Sequence, residues 1–208
     1  MKKQSPFVVL PAPVPNEPEP FSLFRRWYLK AERSKIKLPH AMTLATVKPD
    51  GAPAARIVLL KQFDADGLVF YTNYDSDKGR ELEGNSHAAV VFYWPLLDRQ
   101  VRVEGRVERV APELSDAYFD SRPRGYQLGA WASDQSRAYR DKEGLVRRFL
   151  RTTAKYRRKP VPRPEHWGGY RLVPGRFEFW ESRANRLHLR RVFTCTASGR
   201  WKMQRLYP

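Results

Sequence analysis

The chain has 208 residues, of which 41% are hydrophobic, and this is enough apolar material for one folded core. Its 39 Lys and Arg outnumber its 22 Asp and Glu, and the formal charge of +17 indicates anionic partners: nucleic acid, a membrane surface or small phosphates. The single cysteine, Cys195, excludes an internal disulfide framework, and no apolar run approaches the roughly 18 residues of a membrane span. We therefore expect a cytoplasmic protein that makes no use of a membrane.

Two regions are expected along the chain. Residues 1–20 contain six prolines and little that could be buried, which predicts a mobile arm. Residues 21–208 form the single folded domain. It begins with a helix, because Phe24, Trp27 and Ala31 recur at helical spacing, and Ser22 is placed as its N-cap.

A series of short β-strands follows this helix. Runs rich in β-branched and aromatic residues are separated by turns that end in Asp-Gly, which is typical of antiparallel hairpins. Ser76 is placed to cap a short helix through Leu82. The runs are 41–47, 54–61, 68–72, 88–94 and 100–110. Five strands with tight connections favour a closed or nearly closed β-barrel.

In the second half of the domain, two helices and a loop are predicted before the last three strands. Pro112 opens a helix through Phe119, a loop covers 121–136, and a basic helix covers 141–156. Three further strands lie in 170–181, 192–197 and 201–208, the first interrupted at Pro174 and Gly175. The basic helix carries its cations along one face, which is most simply a solvated face, although a nucleic-acid surface is the alternative; these are Arg147, Arg151, Lys155 and Arg158.

The run Arg186-Leu187-His188, followed by Arg190, indicates a binding or catalytic site. If it is extended, Arg186, His188 and Arg190 share one face, because side chains alternate along a strand. Two guanidinium groups with one imidazole suit an anionic substrate, here a phosphate ester, whose reaction also requires a proton to be transferred. The alternative is a solvated strand edge.

Several common kinds of site are absent from the sequence. No G-x-x-x-x-G-K-[ST] or G-x-G-x-x-G loop occurs, and the four histidines never take metal-ligand spacing, so we expect no metal site. The strand 56–61 has a cation at each end of an apolar run. A ring system could lie along its middle while the charged ends hold phosphate.

Nine segments occur in an order that resembles the pyridoxamine 5'-phosphate oxidase family over roughly residues 21–208. They are RIVLLK (56–61), FYTN (70–73), Ser76 with Lys78, RQVRVEG (99–105), YFDSRP (118–123), QLGAWASDQS (127–136), WGG (167–169), EFW (178–180) and RLH (186–188). The resemblance implies a mainly β fold with flanking helices, an FMN-binding split β-barrel that is antiparallel and Greek-key-like. It also implies a homodimer with FMN at the interface.

The resemblance further implies roles for individual residues. The residues implied to bind FMN are Arg56, Ile57, Val58, Leu59, Leu60, Lys61, Tyr71, Thr72, Lys78, Gln100, Gln135, Ser136, Trp180 and Arg190. Those implied to bind substrate are Lys61, Tyr118, Arg122, Tyr126, Arg186 and His188. Arg186 and His188 are the expected catalytic pair. Arg186 would cover the substrate ring, and His188 would assist in orienting the substrate or in proton transfer.

The implied reaction converts pyridoxine or pyridoxamine 5'-phosphate to pyridoxal 5'-phosphate. C4' of the substrate would pass a hydride to the flavin, which supplies redox chemistry that side chains lack. Oxygen would then accept the electrons and give hydrogen peroxide.

Three residues depart from the family pattern, and they leave other functions open. Asp77 stands where many relatives have Arg, Tyr126 where a serine usually contacts the substrate phosphate, and Leu189 where an acid commonly follows RLH. An oxidase of another aromatic substrate, of the phenazine-biosynthesis type, is one alternative. A non-catalytic protein that binds flavin or pyridoxal phosphate is another. We expect no specific nucleic-acid binding.

Overall fold

The computed structural model describes residues 9–10, 17–139 and 142–208. In this part of the chain, nine antiparallel strands form one sheet whose main path runs β2-β1-β5-β6-β7-β4-β3, with β8 paired to β7 and β9 to β8. Five helices flank the sheet. The strands are β1 Ala41–Val47, β2 Pro53–Leu59, β3 Gln62–Asp64, β4 Gly67–Asn73, β5 His87–Trp94, β6 Arg99–Arg109, β7 Trp167–Glu181, β8 Leu189–Cys195 and β9 Trp201–Leu206. The helices are α1 Glu19–Glu32, α2 Asp77–Gly84, α3 Pro112–Ser121, α4 Arg124–Ala132 and α5 Lys142–Lys155.

The predicted turns are confirmed, and their geometry shows why the chain reverses there. The first joins β1 to β2 as predicted, whereas the second joins β3 to β4 and not the run 54–61 to β4. Gly51 has φ +85°, and Asp50 Oδ1 accepts from the Ala52 amide at 3.0 Å. At the next turn Asp64 Oδ1 accepts from the Gly67 amide at 3.1 Å, and Gly67 has φ +141°. A Cβ at Gly67 would lie 2.1 Å from the Leu172 carbonyl oxygen, so only glycine allows β4 to approach β7 this closely.

Helix α1 covers the apolar side of the sheet, as predicted, but Ser22 does not cap it. The helix starts at Glu19 after Pro18, and Ser22 Oγ instead donates to the Glu19 carbonyl at 3.0 Å. Proline suits a helix start because its missing N–H would have no partner there. Phe24 is fully buried and its ring centroid lies 4.4 Å from that of Phe63, so the helix is held by aromatic packing.

Helix α2 is confirmed with the predicted cap. Ser76 Oγ accepts from the Gly79 amide at 3.4 Å. A Cβ at Gly79 would lie 1.9 Å from the Tyr74 carbonyl oxygen, so glycine lets this helix sit against the end of β4. The close packing buries Lys78 and Glu81, both charged residues of α2, beside the sheet.

Two predictions for the second half of the domain are wrong. The segment 121–136 is not a continuous loop, because it contains α4. Gly125 and Gly129 lower helix propensity in this segment, but Leu128 and Ala132, one turn apart, are buried and hold the helix. Pro174 and Gly175 do not interrupt β7, because a register shift between Glu104 and Gly105 of β6 accommodates them.

Strand β3 is also absent from the sequence prediction, because three residues are too short to show alternation. The predicted mobile arm falls mostly on residues 1–8 and 11–16, which lie outside the described residues. Where the arm is described, the Val9 amide donates to the Lys61 carbonyl at 2.9 Å and the Phe63 amide donates to Val9 at 3.1 Å.

No helix in the described residues is long and apolar enough to cross a membrane. The same part of the chain contains no group of three or more His, Cys, Asp and Glu side chains arranged to hold a metal ion.

Candidate active site

A cavity of about 400 Å³ lies where β2 and β4 meet α2, α3 and the segment after α4. Its volume is in the range of small-molecule sites. The residues that line it are Ile57, Val58, Leu59, Lys61, Tyr71, Thr72, Asn73, Lys78, Tyr118, Arg122, Tyr126, Gln135 and Trp167. All but Asn73 and Trp167 are among the residues implied by the family resemblance, so one cavity brings together most of the predicted site.

The cavity is strongly cationic. Lys61, Lys78 and Arg122 line it, and no Asp or Glu occurs among its described lining residues. Burial, followed by the charge of Arg122, lowers the pKa of Lys61 below its ordinary value. Burial, followed by the charge of Arg56, does the same for Lys78. Desolvated cations that lie close together favour binding of an anion. The anion reduces the repulsion between the cations and replaces the interactions with water that they have lost.

Arg122 is placed by the two-residue link between α3 and α4 and is held mainly by aromatic rings. Its guanidinium carbon lies 4.5 Å from the ring centroid of Trp167, 5.6 Å from that of Phe119 and 6.0 Å from that of Tyr126. Its Nη1 atom is buried and has no hydrogen-bond partner among the described residues. A buried donor without an acceptor is costly, so this atom indicates where an anionic oxygen would bind.

Three aromatic rings form one wall of the cavity. Tyr71 and Tyr118 stack with centroids 4.0 Å apart, and Tyr71 stacks on Trp167 at 5.5 Å. Burial and the neighbouring Tyr118 raise the pKa of Tyr71 to about 12, so both phenols stay neutral near pH 7. Trp167 was not predicted as a site residue, although its WGG segment is part of the family pattern.

The start of α2 forms the opposite end of the cavity. Lys78 Nζ donates to Thr72 Oγ1 at 3.2 Å and to Ser76 Oγ at 3.1 Å, and Thr72 Oγ1 donates to Gln135 Oε1 at 3.3 Å. These contacts fix an ammonium group at a helix N-terminus, a favourable place for phosphate. The Asp77 carboxylate is paired with Arg80 at 2.5 Å, is 59% exposed and does not line the cavity, although its charge raises the pKa of Lys78.

Six of the predicted FMN-binding residues lie outside this lining, and three of them are near it in sequence. Arg56 points from β2 toward α2, where its Nη2 is 2.7 Å from Glu81 Oε2. The Leu60 side chain is fully buried in the core. Ser136, with φ +69°, lines a separate cavity between the segment after α4 and α5.

A second cluster of predicted residues lies near the end of β7 that is remote from its pairing with β4. Gln100, Trp180 and Arg190 are direct cross-strand neighbours on β6, β7 and β8. Arg190 is held by Glu178, with Nε 2.8 Å from Oε1, and it donates to the Tyr207 carbonyl at 3.1 Å. The imidazole of His188 lies 4.7 Å from the Trp180 ring centroid. None of these four predicted residues lines the cationic cavity of the described chain.

The expectation that Arg186, His188 and Arg190 share one face of an extended strand is wrong. Ala184–Arg186 forms a short 3-10 turn, Asn185 and Arg186 have φ of +56° and +59°, and β8 begins only at Leu189. Asparagine tolerates this left-handed geometry, which offers a local reason for the turn. Arg186 and Leu189 are both exposed.

The hydrogen bonding of His188 defines its chemistry. The Arg183 amide donates to His188 Nδ1 at 3.2 Å, so a neutral imidazole carries its proton on Nε2. In this tautomer His188 presents a donor, which favours orienting a substrate oxygen or nitrogen over removing a proton.

The comparisons with known proteins agree with these features. A family model described as Pyridoxamine 5'-phosphate oxidase matches residues 29–156, and one described as Pyridoxine 5'-phosphate oxidase C-terminal dimerisation region matches residues 167–208. A curated relative from Gloeothece citriformis (strain PCC 7424) is 52% identical, covering 92% of this chain and 89% of its own. One from Myxococcus xanthus (strain DK1622) is 49% identical, covering 99% and 98%. Both are named Pyridoxine/pyridoxamine 5'-phosphate oxidase.

Solved structures share the fold. PhzG from Burkholderia lata 383, in complex with tetrahydrophenazine-1-carboxylic acid, is 28% identical with a TM-score of 0.87, covering 96% of this chain and 99% of its own. A pyridoxamine 5'-phosphate oxidase-related, FMN binding protein from Nostoc punctiforme PCC 73102 is 20% identical with a TM-score of 0.73, covering 91% and 98%, and shows the likeness of fold alone. The predicted split barrel with flanking helices is therefore confirmed, and the chain belongs to the pyridoxamine 5'-phosphate oxidase family.

Proposed function

We propose that this protein is an FMN-dependent oxidase that converts pyridoxine or pyridoxamine 5'-phosphate to pyridoxal 5'-phosphate, with oxygen as electron acceptor and hydrogen peroxide as product. The observation that carries the proposal is the cavity with three cations, an aromatic wall and no described acidic lining residue. Curated relatives about half identical to this chain carry the matching name.

The residues present fit a phosphorylated flavin. Lys78, held by Ser76 and Thr72 at the start of α2, would bind the cofactor phosphate, and the exposed side chains of Ile57 and Leu59 would lie along the ring. When bound, FMN accepts the two electrons of the oxidation, which no side chain of the chain can do.

The other two cations suit the substrate phosphate. Lys61 lies 5.9 Å from the Tyr118 ring centroid, and Arg122 lies beside the same tyrosine with a buried donor that lacks an acceptor. A phosphate carrying nearly two negative charges would satisfy Lys61 and Arg122 together, while the Tyr118 hydroxyl adds a neutral donor. Binding at this fixed end would orient the rest of the substrate and so contribute to the rate.

A homodimer would complete the site. The cluster of Gln100, Trp180, Arg186, His188 and Arg190 does not line the cationic cavity, and four of these five lie in the segment that matches the dimerisation region. We propose that the partner subunit supplies this cluster across the interface. The charge of the partner subunit's Arg186 and the donor of the partner subunit's His188 would then face the substrate ring.

The two oxidations determine what His188 and Arg186 must do. Oxidation of the alcohol removes a hydride from C4' and a proton from its hydroxyl group, whereas oxidation of the amine gives an imine that water converts to aldehyde and ammonia. With its proton on Nε2, His188 would orient the hydroxyl or amine group on C4' by donating to its oxygen or nitrogen. The proton from that group then passes to water, and Arg186 holds the ring in place.

A second candidate is a flavin oxidase of a larger aromatic acid. The PhzG structure with its tricyclic ligand supports it. A second cavity of about 310 Å³ also shares Arg122, Tyr126 and Trp167 with the first, and is bordered by the small residues Gly125 and Gly129. Tyr126 is 65% exposed and would decide how far a ligand extends into this space.

Steady-state assays with matched substrates separate the two candidates. We expect kcat/KM for pyridoxamine 5'-phosphate to exceed that for pyridoxamine by about 1,000-fold, since the phosphate forms two charge-assisted contacts worth about 2 kcal/mol each. Oxygen consumption and formation of the aldehyde report turnover. Equal values for the two amines, or oxidation of a reduced phenazine carboxylic acid only, would contradict the proposal.

A further inference from the structure

A buried polar network lies beside Lys78, at one end of the cationic cavity, and none of its three side chains lines that cavity. Glu81 of α2 has a side chain only 7% exposed, and its Oε2 atom is 2.7 Å from Arg56 Nη2. Thr46 of β1 donates to the same oxygen at 2.6 Å and accepts from Arg56 Nη1. The three side chains therefore form a closed triangle between α2 and the β1–β2 hairpin.

The triangle fixes the guanidinium group of Arg56. Nη1 and Nη2 each have one partner on the side of Thr46 and Glu81, so the plane of the group is set by two bonds. A guanidinium group has five N–H donors in a rigid fork, and three remain for another acceptor. Arg56 is therefore held in one orientation before any ligand binds.

Glu81 also balances the local charge. Burial and the charge of Arg56 lower the pKa of Lys78, whereas the carboxylates of Asp77 and Glu81 act in the opposite direction. Burial would raise the pKa of Glu81, but hydrogen bonds from Thr46 and Arg56 outweigh it and hold the pKa below its ordinary value. Glu81 thus stays ionised at neutral pH and lets two like charges lie side by side.

We propose that Glu81 is a positioning residue that holds Arg56 next to Lys78, so that both cations bind the phosphate of the cofactor. The inference rests on the proposed function, because it assumes that a phosphorylated flavin occupies this end of the cavity. It predicts an effect on phosphate recognition that a purely structural role of Glu81 would not produce.

The test compares FMN with riboflavin, which has the same ring system but no phosphate. Dissociation constants for both are measured with the apoprotein by quenching of flavin fluorescence. We expect Glu81→Ala to weaken FMN binding about 10-fold, because Arg56 keeps its charge but loses its fixed orientation, and to change riboflavin binding less than about 2-fold. Glu81→Gln keeps the size and hydrogen-bonding capacity of the side chain, and it should fall between wild type and Glu81→Ala.

Glu83→Gln is the matched control. Glu83 is on the same helix and pairs with Arg109 at 3.0 Å, but its side chain is 67% exposed, so neither flavin should bind differently. An FMN-to-riboflavin affinity ratio unchanged in both Glu81 variants would overturn the inference alone. Should Glu81→Ala fail to fold, the ratio for Glu81→Gln decides. Wild-type apoprotein that bound neither flavin would overturn the proposed function, and this inference with it.

Discussion

Arg122→Met is expected to lower kcat/KM for pyridoxamine 5'-phosphate about 100-fold or more, mainly through KM, while flavin content stays at the wild-type level. The substitution removes a half-buried cation and leaves Lys61 as the one charged contact to the substrate phosphate, a loss of about 3 kcal/mol. Steady-state kinetics with both phosphorylated substrates measure the effect. Methionine keeps much of the packing against Trp167, so the fold is preserved.

Stability separates this functional role from a structural one. Burial lowers the pKa of Arg122, and its Nη1 atom has no acceptor among the described residues, so the charge is a cost to the free protein. We expect Arg122→Met to leave the melting temperature unchanged or raise it. Arg106→Met removes the same charge from an exposed position on β6 and serves as the control. A large fall in melting temperature with Arg122→Met, or equal kinetic losses in both variants, would contradict this account.

A heterodimer of two inactive subunits is expected to recover about half of the wild-type activity. One subunit carries Arg122→Met and the other Arg186→Met, and the two are co-expressed with different tags and purified on both. If each site combines the cavity of one subunit with the Arg186 cluster of the other, one of the two sites contains neither substitution. The second site contains both.

The homodimer of each variant provides the baseline activity. All activities are measured at a substrate concentration far below the KM of the wild-type protein and of both homodimers. If Arg122 and Arg186 acted within one chain, each subunit of the heterodimer would carry one defect, and the heterodimer would be no more active than the homodimers. That result would exclude a shared site. Recovery would locate His188 and Trp180 in the partner as well, because the His188 amide donates to the Arg186 carbonyl at 2.8 Å and the His188 ring packs against Trp180.

Most of the fold could be predicted because its signals are local. Runs rich in β-branched and aromatic residues, such as 41–47 and 100–110, and Asp-Gly turns at Gly51 and Gly67 indicated the hairpins. Helix α4 could not be predicted, because its glycines oppose a helix that only burial of Leu128 and Ala132 stabilises.

The site was predicted less completely. The family resemblance indicated eleven of the cavity-lining residues. Trp167 lies in the WGG segment of the family pattern but was given no role, because its contact with Arg122 forms only in the folded chain. The turn at 184–186 was missed because alternation assumes an extended backbone, and the positive φ of Arg186 breaks it. Glu81 has no signal at all in the sequence, since its role depends on Thr46 and Arg56 lying beside it in the folded chain.

The absorption spectrum of the purified protein, recorded before and after anaerobic addition of pyridoxamine 5'-phosphate, shows whether a bound flavin takes electrons from this substrate. We expect a yellow protein whose visible flavin band is bleached by the substrate and returns when oxygen is admitted, with pyridoxal 5'-phosphate formed in equal amount. A protein that binds FMN but keeps its visible band after the substrate is added would be a binding protein, and the proposed oxidase activity would be wrong.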